Sequence, residues 1–73
     1  MRLDSALMDA LFQRYLAWKD ACTEVAERYA CWKLAGIDEL PAAFRAYHAA
    51  LDAEEDASLA YQELLAKAAA RLR

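Results

Sequence analysis

The sequence has very few residues that interrupt helices. It contains one glycine and one proline among 73 residues, and 60% of its residues are hydrophobic. Gly and Pro are the least favourable residues inside a helix, whereas alanine, which is abundant here, is the most favourable. A disordered chain would be much less apolar. We therefore expect residues 1–73 to form a single, almost wholly helical domain.

The chain also lacks an excess of positive charge. The sequence contains nine Lys and Arg residues and twelve Asp and Glu residues, which gives a net charge of -3. Proteins that bind nucleic acid neutralise phosphates with clustered basic side chains, and no such stripe is present. No apolar run approaches the ~20 residues of a membrane span, and Asp4 and Asp9 interrupt what would be the apolar part of a signal peptide. We expect a cytoplasmic protein that binds neither nucleic acid nor membranes.

Groups that carry catalysis are equally sparse. His48 is the only histidine, and no glycine-rich phosphate loop is present. Carboxylate metal bundles use paired Glu-x-x-His motifs, which this chain does not have. Only His48, Asp52 and Glu24 would converge in the hairpin described below. We expect no enzyme activity, cofactor or metal, and keep a metal or small-ligand bundle as an alternative.

Two cysteines lie in the first half of the chain. Cys22 and Cys31 are nine residues apart on one predicted helix, a separation of about 13 Å at 1.5 Å per residue. A disulfide needs Cα atoms within ~7 Å. Free thiols are therefore expected.

Apolar residues three and four apart dominate both halves. This spacing is typical of a helix and not of a strand. On a helix such residues form one stripe along its side, here called a seam. The two seams predict helices over about residues 4–35 and 40–71. The first contains Met8, Leu11, Tyr15, Trp18, Cys22, Val25, Tyr29 and Trp32, and the second Leu40, Phe44, Tyr47, Leu51, Glu54, Ser58, Tyr61, Leu65, Ala68 and Leu72.

A short turn at about residues 36–40 joins the helices. Gly36 stands where the first seam stops, which predicts a left-handed residue that ends the helix. Ile37 would then contact Trp32, and Asp38 would cap the second helix. Such a short connection favours antiparallel neighbours.

One register aligns both seams when opposing residue numbers sum to 76. It predicts an all-α antiparallel helical hairpin, with two long helices in coiled-coil-like packing. Glu54 is the only acidic or basic residue on a seam. Because burial of an unpaired carboxylate costs several kcal/mol, we expect it to be paired, exposed or protonated.

Two helices cannot enclose a core, so the sides of the seam matter. One flank of the seam is rich in alanine and contains Leu7, Ala21, Ala35, Ala43, Ala50, Ala57 and Leu64. Small apolar residues allow another helix to approach closely, so we expect two hairpins to pair on this alanine-rich flank into a homodimeric four-helix bundle. The opposite flank, which includes Phe12, Lys19 and Glu55, is expected to be mostly solvated.

These features predict a small self-associating protein–protein interaction module. A second contact surface, the outer face, would bind another protein through Leu16, Leu34, Leu59, Asp52, Glu55 and Asp56. The alternative is a regulatory partner of a larger protein, similar in role to an antitoxin or an anti-factor.

Overall fold

The computed structural model describes residues 5–72, which form two long helices. Helix α1 spans Ser5–Leu34 and helix α2 spans Leu40–Arg71. The helices pack against each other along their length, and no strand occurs in the described part of the chain. The all-α helical hairpin is therefore confirmed. Asp4, one of two residues expected to cap α1, lies outside the described residues, and Ser5 is the first helical residue.

The hairpin is a thin rod that measures 57 × 15 × 13 Å. Neither of its two helices is long and apolar enough to cross a membrane.

Aromatic contacts confirm the predicted register at three levels. The ring centroids are 5.8 Å apart for Tyr15 and Tyr61, 5.6 Å for Tyr29 and Tyr47, and 5.4 Å for Trp32 and Phe44. Each pair sums to 76, as the seams require. The helices are therefore antiparallel and aligned from the turn to the level of Tyr15.

The turn differs from the prediction. No glycine in residues 5–72 has a positive φ angle, so Gly36 is not left-handed. Two backbone hydrogen bonds shape the turn instead. Ala35 N–H donates to the Trp32 carbonyl (3.3 Å), and Glu39 N–H donates to the Gly36 carbonyl (3.0 Å). The second bond closes a tight turn without a positive φ, so the connection does not require glycine.

The neighbouring turn residues also depart from the prediction. The Ile37 side chain is 90% exposed, so it does not pack against Trp32 as predicted. Glu39, not Asp38, is the N-cap of α2, and its side chain makes no capping hydrogen bond. Pro41 lies in the first turn of α2, where its missing N–H costs little.

Burial shows that the helix contact is rotated toward the alanine-rich flank. The α2 positions that face α1 repeat at four and three residues. On the other edge of the seam Phe44 and Leu65 are exposed, and only the middle residues Leu51 and Ser58 are half-buried. Small alanines let the backbones approach, and this favours contact on that side. The facing positions, all buried or half-buried, are Ala43, Tyr47, Ala50, Glu54, Ala57, Tyr61, Leu64 and Ala68.

Candidate interaction surface

Trp18 connects the helices at mid-length. Its indole stacks on Tyr61, with centroids 5.9 Å apart and planes 19° from parallel. Its Nε1 donates a hydrogen bond of 3.0 Å to Glu54 Oε1. The ring therefore contacts two side chains of α2 at the level of Ser58, whose small side chain leaves room for it. Glu54, the one charged seam residue, is paired within its own hairpin.

A second aromatic cluster lies next to the turn. Trp32 stacks on Tyr47 at 5.5 Å and also contacts Phe44. The imidazole of His48 lies 4.4 Å from the Phe44 ring. Trp32 and Phe44 form a shallow apolar groove together with Leu40 and Pro41. This end of the hairpin therefore carries a cluster of rings, of which Phe44 and His48 are exposed.

The candidate site is the open side of the seam, where large apolar side chains remain in solvent. It is defined by six residues more than a third exposed: Met8, Phe12, Tyr15, Tyr29, Phe44 and Leu65. Four of them, with Leu11 and Tyr61, line a shallow groove at the end away from the turn. Isolated exposed apolar residues are ordinary, whereas several large ones on one side of a hairpin make that side the candidate interaction surface.

Charged residues occupy the middle of the open side. Lys19 follows Phe12 by seven residues, or two helical turns, and so lies on the same side of α1. Glu55 follows His48 by seven residues on α2 and shares the side of Phe44. Within residues 5–72, neither Lys19 nor Glu55 makes an ion pair. The open side therefore has two apolar ends and a charged centre.

Other charges are already engaged on α1. Arg28 Nε donates to Glu24 Oε1 at 2.7 Å, one turn away. This hydrogen bond and the Glu24 charge raise the pKa of Arg28 above its ordinary value. Lys33 Nζ lies 5.1 Å from the centre of the Tyr29 ring, in cation–π geometry.

The residues considered for a metal do not come together. Glu24 binds Arg28, His48 packs on Phe44, and Asp52 is exposed. No group of three or more His, Cys, Asp or Glu side chains in the described part of the chain is placed to hold a metal ion. Cys22 is half-buried and Cys31 is exposed, and both are free thiols.

The alanine-rich flank lies along the contact between α1 and α2. Ala50 is 6% exposed, and the other six members are half-buried. Pairing of two copies through this flank stays a prediction, and the flank offers a second copy less exposed surface than the opposite side does. Small side chains there allow α1 and α2 to approach, and the surface left uncovered is the opposite one.

The outer face is exposed, as predicted from the sequence. All six members are exposed, and Leu34 is the most exposed of its leucines at 85%. One member, Glu55, also belongs to the open side. No hydrogen bond or ion pair among residues 5–72 orders these side chains into a site. Their role in binding another protein stays a prediction.

Sequence reasoning missed the open side. It assigned Phe12 to a solvated flank because Lys19, Lys33 and Glu55 share that flank. The available signal was the size of the residues: bulky rings on this edge of the seam and alanines on the other edge predict which edge closes.

Comparison with known proteins gives no relative. No protein family, curated protein or solved structure matches this chain.

Proposed function

We propose that this chain is a self-associating protein–protein interaction module that works as a homodimer and has no catalytic activity of its own. The observation that supports the proposal is the distribution of burial. Within residues 5–72 the only buried residues are two alanines, Ala50 and Ala68. Every large apolar side chain in that range keeps part of its surface in water, although such residues are normally interior.

A second hairpin on the open side would remove this exposed surface. Each helix would then contact its own partner helix through the alanine-rich flank and the second copy through the open side. This is the arrangement of a four-helix bundle, in which two layers enclose a core that one layer cannot form. Burial of a Phe or Leu side chain contributes ~1.5–3 kcal/mol, so the face offers substantial energy for association.

Sedimentation equilibrium over a range of chain concentrations tests the proposal, with helicity followed by circular dichroism. We expect a helical dimer. Phe12→Ser removes a ring that is 58% exposed on the open side, and because each dimer contains it twice, the dissociation constant should rise at least about tenfold. Leu34→Ser is the matched control on the outer face and should leave dimerisation unchanged.

A helical monomer at all concentrations would contradict self-association. The open side would then belong to a different, larger protein, as in the regulatory alternative, and capture of a partner from the host would be lost in Phe12→Ser but kept in Leu34→Ser. The cytoplasmic location and the absence of nucleic-acid and membrane binding stay predictions from the sequence.

A further inference from the structure

The charges on the open side are divided between the two helices. On α1 they are positive, at Lys19 and Lys33, and on α2 the corresponding edge carries the carboxylate of Glu55. Lys33 is engaged with Tyr29, whereas neither Lys19 nor Glu55 has an ion-pair partner in the described residues. These two opposite charges are therefore available to a second molecule on the same face.

Lys19 and Glu55 also lie at nearly the same height along the rod. In the observed register Lys19 is level with residue 57, two residues from Glu55, which is about 3 Å along the helix. Both are near the midpoint of the hairpin. Any two-fold pairing that fully overlaps two open sides must bring these charges close to their copies or to each other.

Only two such pairings are possible, because the two-fold axis of a face-to-face dimer lies in the interface. An axis across the helices places the turns at opposite ends, and it brings Lys19 against Lys19 and Glu55 against Glu55. An axis along the helices places both turns at the same end and brings Lys19 of each copy against Glu55 of the other. The first pairing repels at its centre and the second attracts.

We infer that the open side binds a second copy of this chain with both turns at the same end, so that α1 of each copy lies on α2 of the other and Lys19 pairs with Glu55 across the interface. This inference rests on the proposed dimer and specifies its geometry. The apolar ends support a second copy as the occupant. With the axis along the helices, the aromatic cluster beside the turn of one copy contacts the same cluster of the other, and the grooves around Phe12 also contact each other.

The size of the face agrees with this occupant. A face about 57 Å long and 15 Å wide offers on the order of 800 Å² per partner, which is the area that stable protein interfaces bury.

A charge exchange tests the pairing. Lys19→Glu and Glu55→Lys each place two like-charged contacts in the homodimer, and we expect each variant to dimerise about tenfold more weakly than the unchanged chain. A mixture of the two variants should form a heterodimer with near-original affinity. One of its two contacts then joins the two introduced charges, which are opposite, and the other joins the original lysine and glutamate.

The weakening of each variant and the rescue on mixing together separate this pairing from its alternatives. With the turns at opposite ends, position 19 would meet position 19 and position 55 would meet position 55, so neither variant alone would dimerise more weakly than the unchanged chain, although the mixture would associate more tightly. Contact between positions 19 and 55 of the same hairpin could not produce the rescue, since mixing changes nothing within one chain. A mixture that associates no better than either variant alone would overturn the inference.

The direction of the copies is tested by distance. A nitroxide label on Ile37→Cys, in a Cys22→Ala and Cys31→Ala background, reports the separation of the two turns by double electron–electron resonance. Ile37 is 90% exposed, so the label disturbs no packing. Turns at the same end predict a distance of about 25 Å, or two helix diameters. A distance near the 57 Å length of the rod would overturn the inference and leave the dimer intact, whereas absence of any discrete distance would count against the dimer itself.

Discussion

The indole Nε1 of Trp18 donates a hydrogen bond of 3.0 Å to Glu54 Oε1, and this contact joins α1 to α2 halfway along the hairpin. The acceptor is the only acidic or basic residue on either seam. The pairing explains how a carboxylate is accommodated there, because its oxygen has a donor and the residue is only half-buried.

Removal of this acceptor should destabilise the hairpin. Glu54→Ala leaves the indole N–H without its partner, and we expect the free energy of unfolding to fall by about 1 kcal/mol, the usual value of a hydrogen bond that is partly in solvent. Glu54→Gln keeps an acceptor and should cost less. Urea unfolding at a fixed chain concentration measures both variants.

Glu63→Ala is the matched control, because Glu63 lies on the exposed side of the same helix. It should change stability by less than ~0.5 kcal/mol. Equal losses in Glu54→Ala and Glu63→Ala would show that the bond contributes nothing.

A charge at Ala50 should damage the hairpin as well as any assembly. Ala50 is 6% exposed between the helices, so Ala50→Glu must either bury a carboxylate or force the helices apart. We expect a loss of about 2 kcal/mol or more, seen as a lower thermal midpoint by circular dichroism. Ala49→Glu, one residue away and exposed, should be nearly neutral. If the two variants unfolded alike, Ala50 would not face α1.

Gly36→Ala should stabilise the protein. A Cβ at Gly36 would meet no atom within 4 Å, and the residue has no positive φ angle. Alanine restricts the unfolded chain, so a gain of about 0.4–1 kcal/mol is expected in the free energy of unfolding. A left-handed Gly36 would instead lose about 1 kcal/mol on this substitution. The sign of the change, measured by urea unfolding, therefore decides between the two backbone conformations.

Much of the fold follows from spacing alone. Residues such as Tyr29 and Trp32 recur at helical intervals, and their partners Tyr47 and Phe44 recur with the same period in reverse. The register follows because any shift would separate these rings from each other. Residue spacing alone is therefore enough to predict the helices and their register.

The conformation of the turn and the position of the open side could not be predicted from spacing in the same way. A glycine at a helix end is compatible with several backbone conformations, and Gly36 adopts one that does not need it. Likewise, seam residues have two edges, and the sequence period is the same for both. Which edge closes depends on how closely the backbones approach, and this is decided by the sum of many small side chains such as Ala43, Ala50 and Ala57.

The placement of the aromatic rings also has a consequence for the order of folding. Trp32 and Phe44 are only 12 residues apart in the chain, whereas Tyr15 and Tyr61 are separated by 46. Closure of the shorter loop costs less chain entropy, and each further layer then adds contacts at small additional cost. The hairpin should therefore close from the turn toward its termini, with the ring cluster beside the turn as the nucleus. Kinetic φ-values should accordingly be high for truncations at Phe44 and low for truncations at Leu65.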